Sequence, residues 1–310
     1  MGAHAKIPVE TDDDFRARHV GASEVAALFD ASPYLTRFEL WHRKKGNIAT
    51  PEFDAMRDDG TPDNERIYWG IRLEAAIIEA AKERYGYTDR EQVDRLDNGG
   101  GLGCHPDRRV ACPQRGPGVL EIKCVDWLER KSWGDEPPLH YLLQSQTQQG
   151  LDGVTWGDVL VLVGGNKLER FQYDFRPKVF AEIEKRTAEF WRSVEADEPP
   201  PADYSRDLDA IRELYGEATD ETVDLRSDNL ATDAALTFLA ETEKAKEAQG
   251  RADAAKAELL DKLGHASTGF LEGFTVRTTD VKPLPEREAK PGEIIPGRKG
   301  YRRFSVKEQN

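Results

Sequence analysis

The 310-residue chain has only three cysteines, at positions 104, 112 and 124. So small and clustered a set favours a reducing compartment over a disulfide framework. Three thiols without a fourth ligand also make a poor closed zinc or iron–sulfur site. We therefore expect no iron–sulfur cluster, and we expect these cysteines to be buried as small hydrophobic side chains.

The chain also lacks a run of eighteen or more apolar residues, and no signal-peptide pattern follows Met1. A membrane-spanning helix needs such a run, and a secreted protein needs such a signal. The sequence therefore predicts a soluble cytoplasmic protein with no membrane partner.

Positive charge is in deficit, because the formal net charge is -14. This balance argues against a protein that coats nucleic acid indiscriminately, since phosphate binding relies on Lys and Arg. A nuclease is still compatible with it, because only the local lining of a cleft must be basic and metal-binding carboxylates add to the negative total. Short basic clusters do occur, for example Arg16/Arg18 and Arg108/Arg109, although most of them are expected to be solvated surface.

The order of predicted elements favours an α/β fold with a central mixed β-sheet flanked by helices. Strands are predicted between 101 and 123 and at 158–163 and 168–175, the last two joined by a hairpin turn. Helices are predicted at 23–29, 36–45, 64–85, 137–150 and 177–194. We expect an acidic lead-in at 1–14, a core domain at 15–203 and an extension at 204–310. The extension is expected to hold one long helix or a helical pair at 228–264, then strands at 269–278 and 301–306.

One strand carries unusual charges. Leu120 and Ile122 alternate with Glu121 and Lys123, so the carboxylate and the amine share one face of the strand. Asp107 lies fourteen residues before Glu121, across a plausible hairpin. Two carboxylates suit Mg²⁺ or Mn²⁺, and a neighbouring lysine can orient or deprotonate the water that attacks phosphorus. The pattern is typical of a metal-dependent phosphodiesterase, although such a triplet alone is more often a chance occurrence.

Three further polar residues have an ordinary explanation beside the functional one. Glu74 lies in the apolar stripe of the helix at 64–85, where it is either paired with a cation or at the solvent edge. Gln144 and Gln148 are one helical turn apart, so a glutamine there could face the metal or merely solvent. Ser23 near a helix N-terminus is either an anion site, with Arg16 or Arg18 upstream, or a plain helix cap.

The motifs together resemble those of the YqaJ-type viral recombinase nucleases, the group that includes phage lambda exonuclease. The resemblance covers about residues 15 to 203, and its motifs come in the family's order. They are Gly21-Ala22-Ser23-Glu24-Val25, Ser32-Pro33-Tyr34, Gly70-Ile71-Arg72-Leu73-Glu74, His105-Pro106-Asp107, Leu120-Glu121-Ile122-Lys123-Cys124 and the segment from Tyr141 to Gln148.

The resemblance implies a PD-(D/E)xK nuclease core. Glu74, Asp107, Glu121 and the Ile122 carbonyl would bind Mg²⁺ or Mn²⁺, with two ions per site, and Lys123 would serve the attacking water. Gln144 matches the family's glutamine, and Ser23 matches the serine of its 5′-phosphate pocket. The arginine of that pocket is either Arg16 or Arg18.

The implied activity is 5′→3′ digestion of duplex DNA from its ends, which would leave single strands for recombination. Its partners would be DNA ends, a single-strand annealing protein or recombinase, and further copies of this chain, a ring of three being one form. An endonuclease specific for nicks or branches, on the same core, is the main alternative. A non-catalytic DNA-end binder is a weaker one, because all four site residues are intact.

Overall fold

The computed structural model describes residues 11–51, 55–57 and 60–279. The chain divides into two compact units, 1–214 and 215–310. The first unit therefore extends beyond the expected boundary at 203/204. Asp207 explains the difference, because its buried carboxylate accepts a hydrogen bond from Thr36 Oγ1 at 2.5 Å and so ties this segment to the first unit.

Two sheets form the centre of the first unit. Their strands are β1 Val20–Gly21, β2 Thr88–Asp89, β3 Leu96–Asp97, β4 Leu102–Cys104, β5 Arg108–Cys112, β6 Gly116–Val125, β7 Trp156–Val163 and β8 Lys167–Asp174. The larger sheet has the order β2-β5-β6-β7-β8, and the smaller one has the order β1-β4-β3. In the larger sheet β6 and β7 are parallel, whereas the other neighbours are antiparallel. This mixed sheet, flanked by helices, confirms the predicted fold class.

Helices surround the larger sheet. They are α1 Asp12–Arg18, a 3₁₀ helix Val25–Phe29, α2 Arg37–Lys44, α3 Glu65–Tyr85, α4 Trp127–Ser132, α5 Leu139–Asp152, α6 Pro177–Glu195 and α7 Leu208–Leu214. The parallel strands β6 and β7 need a crossover connection, and α4 with α5 supplies it. The sequence predicted α3 well because Asn64 caps its start and Gly86, with φ of 71°, ends it.

The two faces of β6 pack against different helices. Leu120 and Ile122 lie in a core cluster with Ile77 and Ile78 of α3. Glu121 lies on the opposite face and contacts α5 through Gln148. The alternation of side chains along β6 thus separates an apolar face, covered by α3, from a polar face covered by α5.

Three local predictions were wrong. The acidic segment before residue 15 is not a loose lead-in throughout, because Asp12 begins α1 under a Thr11 capping box. The helix expected at 23–29 is a five-residue 3₁₀ helix with Glu24, not Ser23, at its N-cap. Ile71 belongs to the same predicted apolar stripe of α3 as Glu74, yet it is 53% exposed.

Cys104 and Cys112 are buried as predicted, whereas Cys124 is half-buried. Within the described ranges, no helix has both the length and the apolar character that a membrane crossing needs.

The second unit contains one long helix, α8 Asn229–Leu263, and a hairpin of β9 Thr268–Leu271 and β10 Phe274–Arg277. The first of the two predicted helical forms is therefore correct, with Asp228 as its N-cap. The single strand expected at 269–278 is instead a hairpin, because Gly273, with φ of 78°, turns the chain. The strand expected at 301–306 lies outside the described residues.

Candidate active site

The register of β5 on β6 brings Asp107 beside Glu121. Arg108 pairs with Leu120, so Asp107, which directly precedes β5, reaches the middle of β6. Its Oδ2 accepts a hydrogen bond from the Ile122 N–H at 2.7 Å. The predicted approach of this aspartate across a hairpin is therefore the arrangement that the strands adopt.

Glu121 and Lys123 lie on the same face of β6, as the alternation predicts. Lys123 Nζ contacts Glu121 Oε1, and Glu121 is only 1% exposed. The other oxygen, Oε2, accepts a hydrogen bond from Gln148 Nε2 at 2.6 Å. A buried carboxylate is costly unless it is paired, and here an ammonium and an amide both stabilise the charged form.

Glu74 comes to this site from α3. Glu74 is half-buried, and this burial is the main reason that its pKa is raised. The negative charge of Glu121 raises the pKa further, whereas the positive charge of Lys123 lowers it. Among the two explanations of Glu74, the structure favours a carboxylate that faces other charged groups over one at a solvated edge.

Burial and neighbouring charges also shift the pKa values of Asp107 and Lys123. Burial raises the pKa of Asp107 well above its usual range, and the charge of Glu121 adds to the rise. For Lys123, burial alone would lower the pKa, but the charges of Glu121 and Asp107 raise it overall. Three acids and one amine thus interact within a poorly solvated space, with more negative than positive charge.

The donor chemistry of this cluster fits a hard divalent cation. Carboxylate oxygens and a backbone carbonyl are the ligands that Mg²⁺ and Mn²⁺ prefer. A cation would stabilise the charged forms of Glu74 and Asp107, whose pKa values are raised by burial and by the charge of Glu121. Nevertheless, in the part of the chain that the structure describes, no three His, Cys, Asp or Glu side chains are arranged to hold a metal ion. Lys123 engages Glu121, and the Ile122 N–H engages Asp107, so these side chains pair with protein groups.

Glu74, Asp107, Glu121 and Lys123 are called the acid cluster below. The glutamine that contacts it is Gln148. Gln144 lies one turn earlier on α5, is half-buried, and has no hydrogen bond from its side chain to the rest of the described chain. The equal spacing of Gln144 and Gln148 predicted a shared face. It could not tell which of the two reaches Glu121, because that depends on the rotation of α5 over β6.

The predicted phosphate-binding residues lie in one region of the surface. Ser23, Arg16 and Arg18 are all exposed. Lys44 connects Glu24, which follows Ser23, to α1. Its Nζ donates to Glu24 Oε2 at 2.6 Å and to the Arg16 carbonyl at 2.7 Å. The expected helix N-terminus is absent at Ser23, because the element that follows is a single short 3₁₀ segment. Any anion site here therefore depends on side chains.

Comparison with known protein families agrees with the resemblance that the motifs show. Residues 13–153 match the model of the YqaJ-like viral recombinase domain, which confirms the resemblance that the motifs indicated. All the acid-cluster residues lie inside the matched range. No curated protein matches the chain.

Several solved structures of exonucleases align with part of this chain. The alkaline exonuclease LHK-Exo from Laribacter hongkongensis is 21% identical, with a TM-score of 0.46 over 65% of this chain and 99% of that chain. LHK-Exo in complex with dAMP is 23% identical, with a TM-score of 0.48 over the same shares, 65% and 99%. A phage-related exonuclease from Haemophilus somnus is 12% identical, with a TM-score of 0.44 over 57% of this chain and 94% of that one.

Proposed function

We propose, from the YqaJ-like domain match at residues 13–153, that this protein is a Mg²⁺-dependent, phage-type deoxyribonuclease. It digests one strand of duplex DNA from an end in the 5′→3′ direction and leaves a single strand for a recombinase or annealing protein. One observation carries the proposal. Glu121 and Lys123 share one face of β6, Asp107 reaches them from the start of β5, and Glu74 adds a third interacting acid.

Glu74, Asp107, Glu121 and the Ile122 carbonyl are the groups that would hold divalent ions, two per site. When bound, Mg²⁺ or Mn²⁺ would supply charge neutralisation at the scissile phosphate and a more acidic water. The carboxylates place the negative charge of the site at the middle of β6.

Lys123 is the candidate for positioning the attacking water. Its ammonium is held between Glu121 and the ring of Tyr141, whose centroid is 5.1 Å from Nζ. An ammonium at this position is suited to donate to a water or to a phosphate oxygen. Gln144 is proposed to help place the water or the phosphate, and Gln148 to fix the rotamer of Glu121.

At the DNA end, Ser23 with Arg16 or Arg18 would bind the terminal 5′-phosphate. The hydroxyl and guanidinium groups are suited to phosphate oxygens, and both lie on an accessible surface. We further propose that the chain acts in the cytoplasm as a homo-oligomer, a ring of three being one form. A ring would reconcile a net charge of -14 with DNA binding, because only its inner channel must be basic.

The experiment is Mg²⁺-dependent digestion of a linear duplex labelled separately at each end. Early release of the 5′ label supports the proposed polarity, and slower digestion of a 5′-hydroxyl duplex supports the phosphate pocket. A closed circle is the matched substrate without ends. Degradation of the circle at the rate of the linear duplex contradicts the exonuclease and favours an endonuclease.

A further inference from the structure

Tyr34 is an exposed aromatic residue on a tightly held turn. Tyr34 is 69% exposed, whereas Ser32, two positions earlier, is 7% exposed. Ser32 Oγ accepts hydrogen bonds from the N–H groups of Tyr34 at 3.3 Å and Leu35 at 3.1 Å. The Ser32 carbonyl accepts another from Arg206 at 2.6 Å. The turn is thus fixed from both sides while its ring stays open to solvent.

A series of ring contacts connects Tyr34 to the reactive lysine. The Tyr34 ring meets His140 edge to face, with centroids 5.9 Å apart at 87°. His140 lies 4.0 Å from the ring of Tyr141, which in turn lies 5.1 Å from Lys123 Nζ. Tyr34 therefore stands at the edge of the acid cluster, two aromatic rings away from the lysine that would serve the water.

His140 acts as a rigid support in this series. Its Nε2 is buried without a hydrogen-bond partner in the described part of the chain. Burial lowers the pKa of His140 to about 4, and the charge of Lys123 adds to the shift, so the imidazole is neutral near pH 7. A neutral ring between two tyrosines packs against the Tyr34 ring and restricts its orientation.

We propose that Tyr34 is a base-stacking residue, which binds a nucleobase of the DNA strand next to the phosphate at Glu121 and Lys123. This inference rests on the proposed function and extends it to the base. An exposed, pre-oriented aromatic face stacks on any base, so Tyr34 contributes affinity and alignment without sequence preference. The neighbouring ammonium of Lys123 is suited to the phosphate of the same strand.

The test measures DNA binding by the full chain with Ca²⁺ in place of Mg²⁺, using duplexes that carry 2-aminopurine at successive positions from the 5′ end. Wild type and Tyr34→Phe should quench 2-aminopurine at one position, whereas Tyr34→Ala should not. Tyr34→Ala should also weaken binding and raise KM roughly five- to hundredfold, with kcat much less affected, as expected for the loss of one stacked base. Tyr204→Ala is the matched control, because Tyr204 is an 85% exposed tyrosine in the same unit.

A duplex with an abasic site at the quenched position separates stacking from a structural role. On that duplex, wild type and Tyr34→Ala should bind equally, because the stacking partner is gone. A Tyr34→Ala deficit that persists on abasic DNA overturns the inference, and so does unchanged binding of Tyr34→Ala to normal DNA. If wild-type protein cuts DNA and Tyr34→Ala changes neither binding nor KM, this inference alone is overturned. Binding with quenching but no cleavage in Mg²⁺ overturns the proposed function and leaves the stacking intact.

Discussion

Gln148 on α5 donates a hydrogen bond of 2.6 Å to Glu121 on β6, and both side chains are almost completely buried. This bond joins the crossover helix to the strand that carries the acid and the lysine. It holds Glu121 Oε2 while Lys123 holds Oε1, so the orientation of this carboxylate is fixed from two sides.

Gln148→Ala should therefore reduce both stability and activity. Removal of the donor leaves a buried carboxylate oxygen without its partner, which costs about 1–3 kcal/mol of unfolding free energy. Urea denaturation would measure the loss, and single-turnover digestion would measure the activity. Gln144→Ala is the comparison, since its half-buried side chain should change stability by less than about 0.5 kcal/mol while lowering turnover. Equal stability losses for the two variants would contradict the assignment of the support to Gln148.

The boundary of the first unit gives a second prediction. A chain that ends at Leu214 should keep the stability of the first unit, whereas a chain that ends at Asp203 should lose part of it. The shorter chain lacks Asp207, whose carboxylate accepts from Thr36 Oγ1 and from the Asp203 N–H. All six tryptophans precede residue 214, so their fluorescence during unfolding reports this unit alone. Identical transitions for the two truncated chains would place the boundary at 203/204 after all.

Asp207→Ala in the full chain tests the same contact without truncation. Loss of this buried acceptor should lower the unfolding free energy by about 1–3 kcal/mol. Asp209→Ala is its control, because Asp209 lies two residues later on the exposed surface of α7. A smaller loss for Asp207→Ala than for Asp209→Ala would show that the contact does not anchor α7.

Stability should fall in mild acid because of His140. Its pKa is 6.5 in the unfolded chain and about 4 in the folded protein, so between these values only the unfolded state takes up a proton. The contribution of neutral His140 to the unfolding free energy is complete above pH 6.5, and it is lost as the pH falls through 4. The total loss of unfolding free energy is up to about 3 kcal/mol. Tryptophan fluorescence during urea unfolding measures it, and His140→Gln should show a shallower decline. The same decline in both proteins would rule out His140 as the cause.

The sequence predicted the elements that carry strong local signals. α3 has an asparagine cap and a terminal glycine, and β6 has a clear alternation, so both were found, together with the meeting of Asp107, Glu121 and Lys123. Other features depend on tertiary packing. The rotation of α5 decides between Gln144 and Gln148, and the rotation of α3 over the sheet leaves Ile71 exposed to solvent. Such choices leave no trace in local spacing.

Asp107, Glu121 and Lys123 are proposed to perform the hydrolysis, and single-turnover digestion of a 5′-phosphorylated linear duplex in Mg²⁺ measures their contribution. Glu121→Gln, Asp107→Asn and Lys123→Ala should each lose at least about a hundredfold in rate, in line with the loss of a metal ligand or of the group that serves the water. Circular dichroism of each variant checks that the fold is kept. Folded Glu121→Gln and Lys123→Ala proteins that digest the duplex at the wild-type rate would contradict the account.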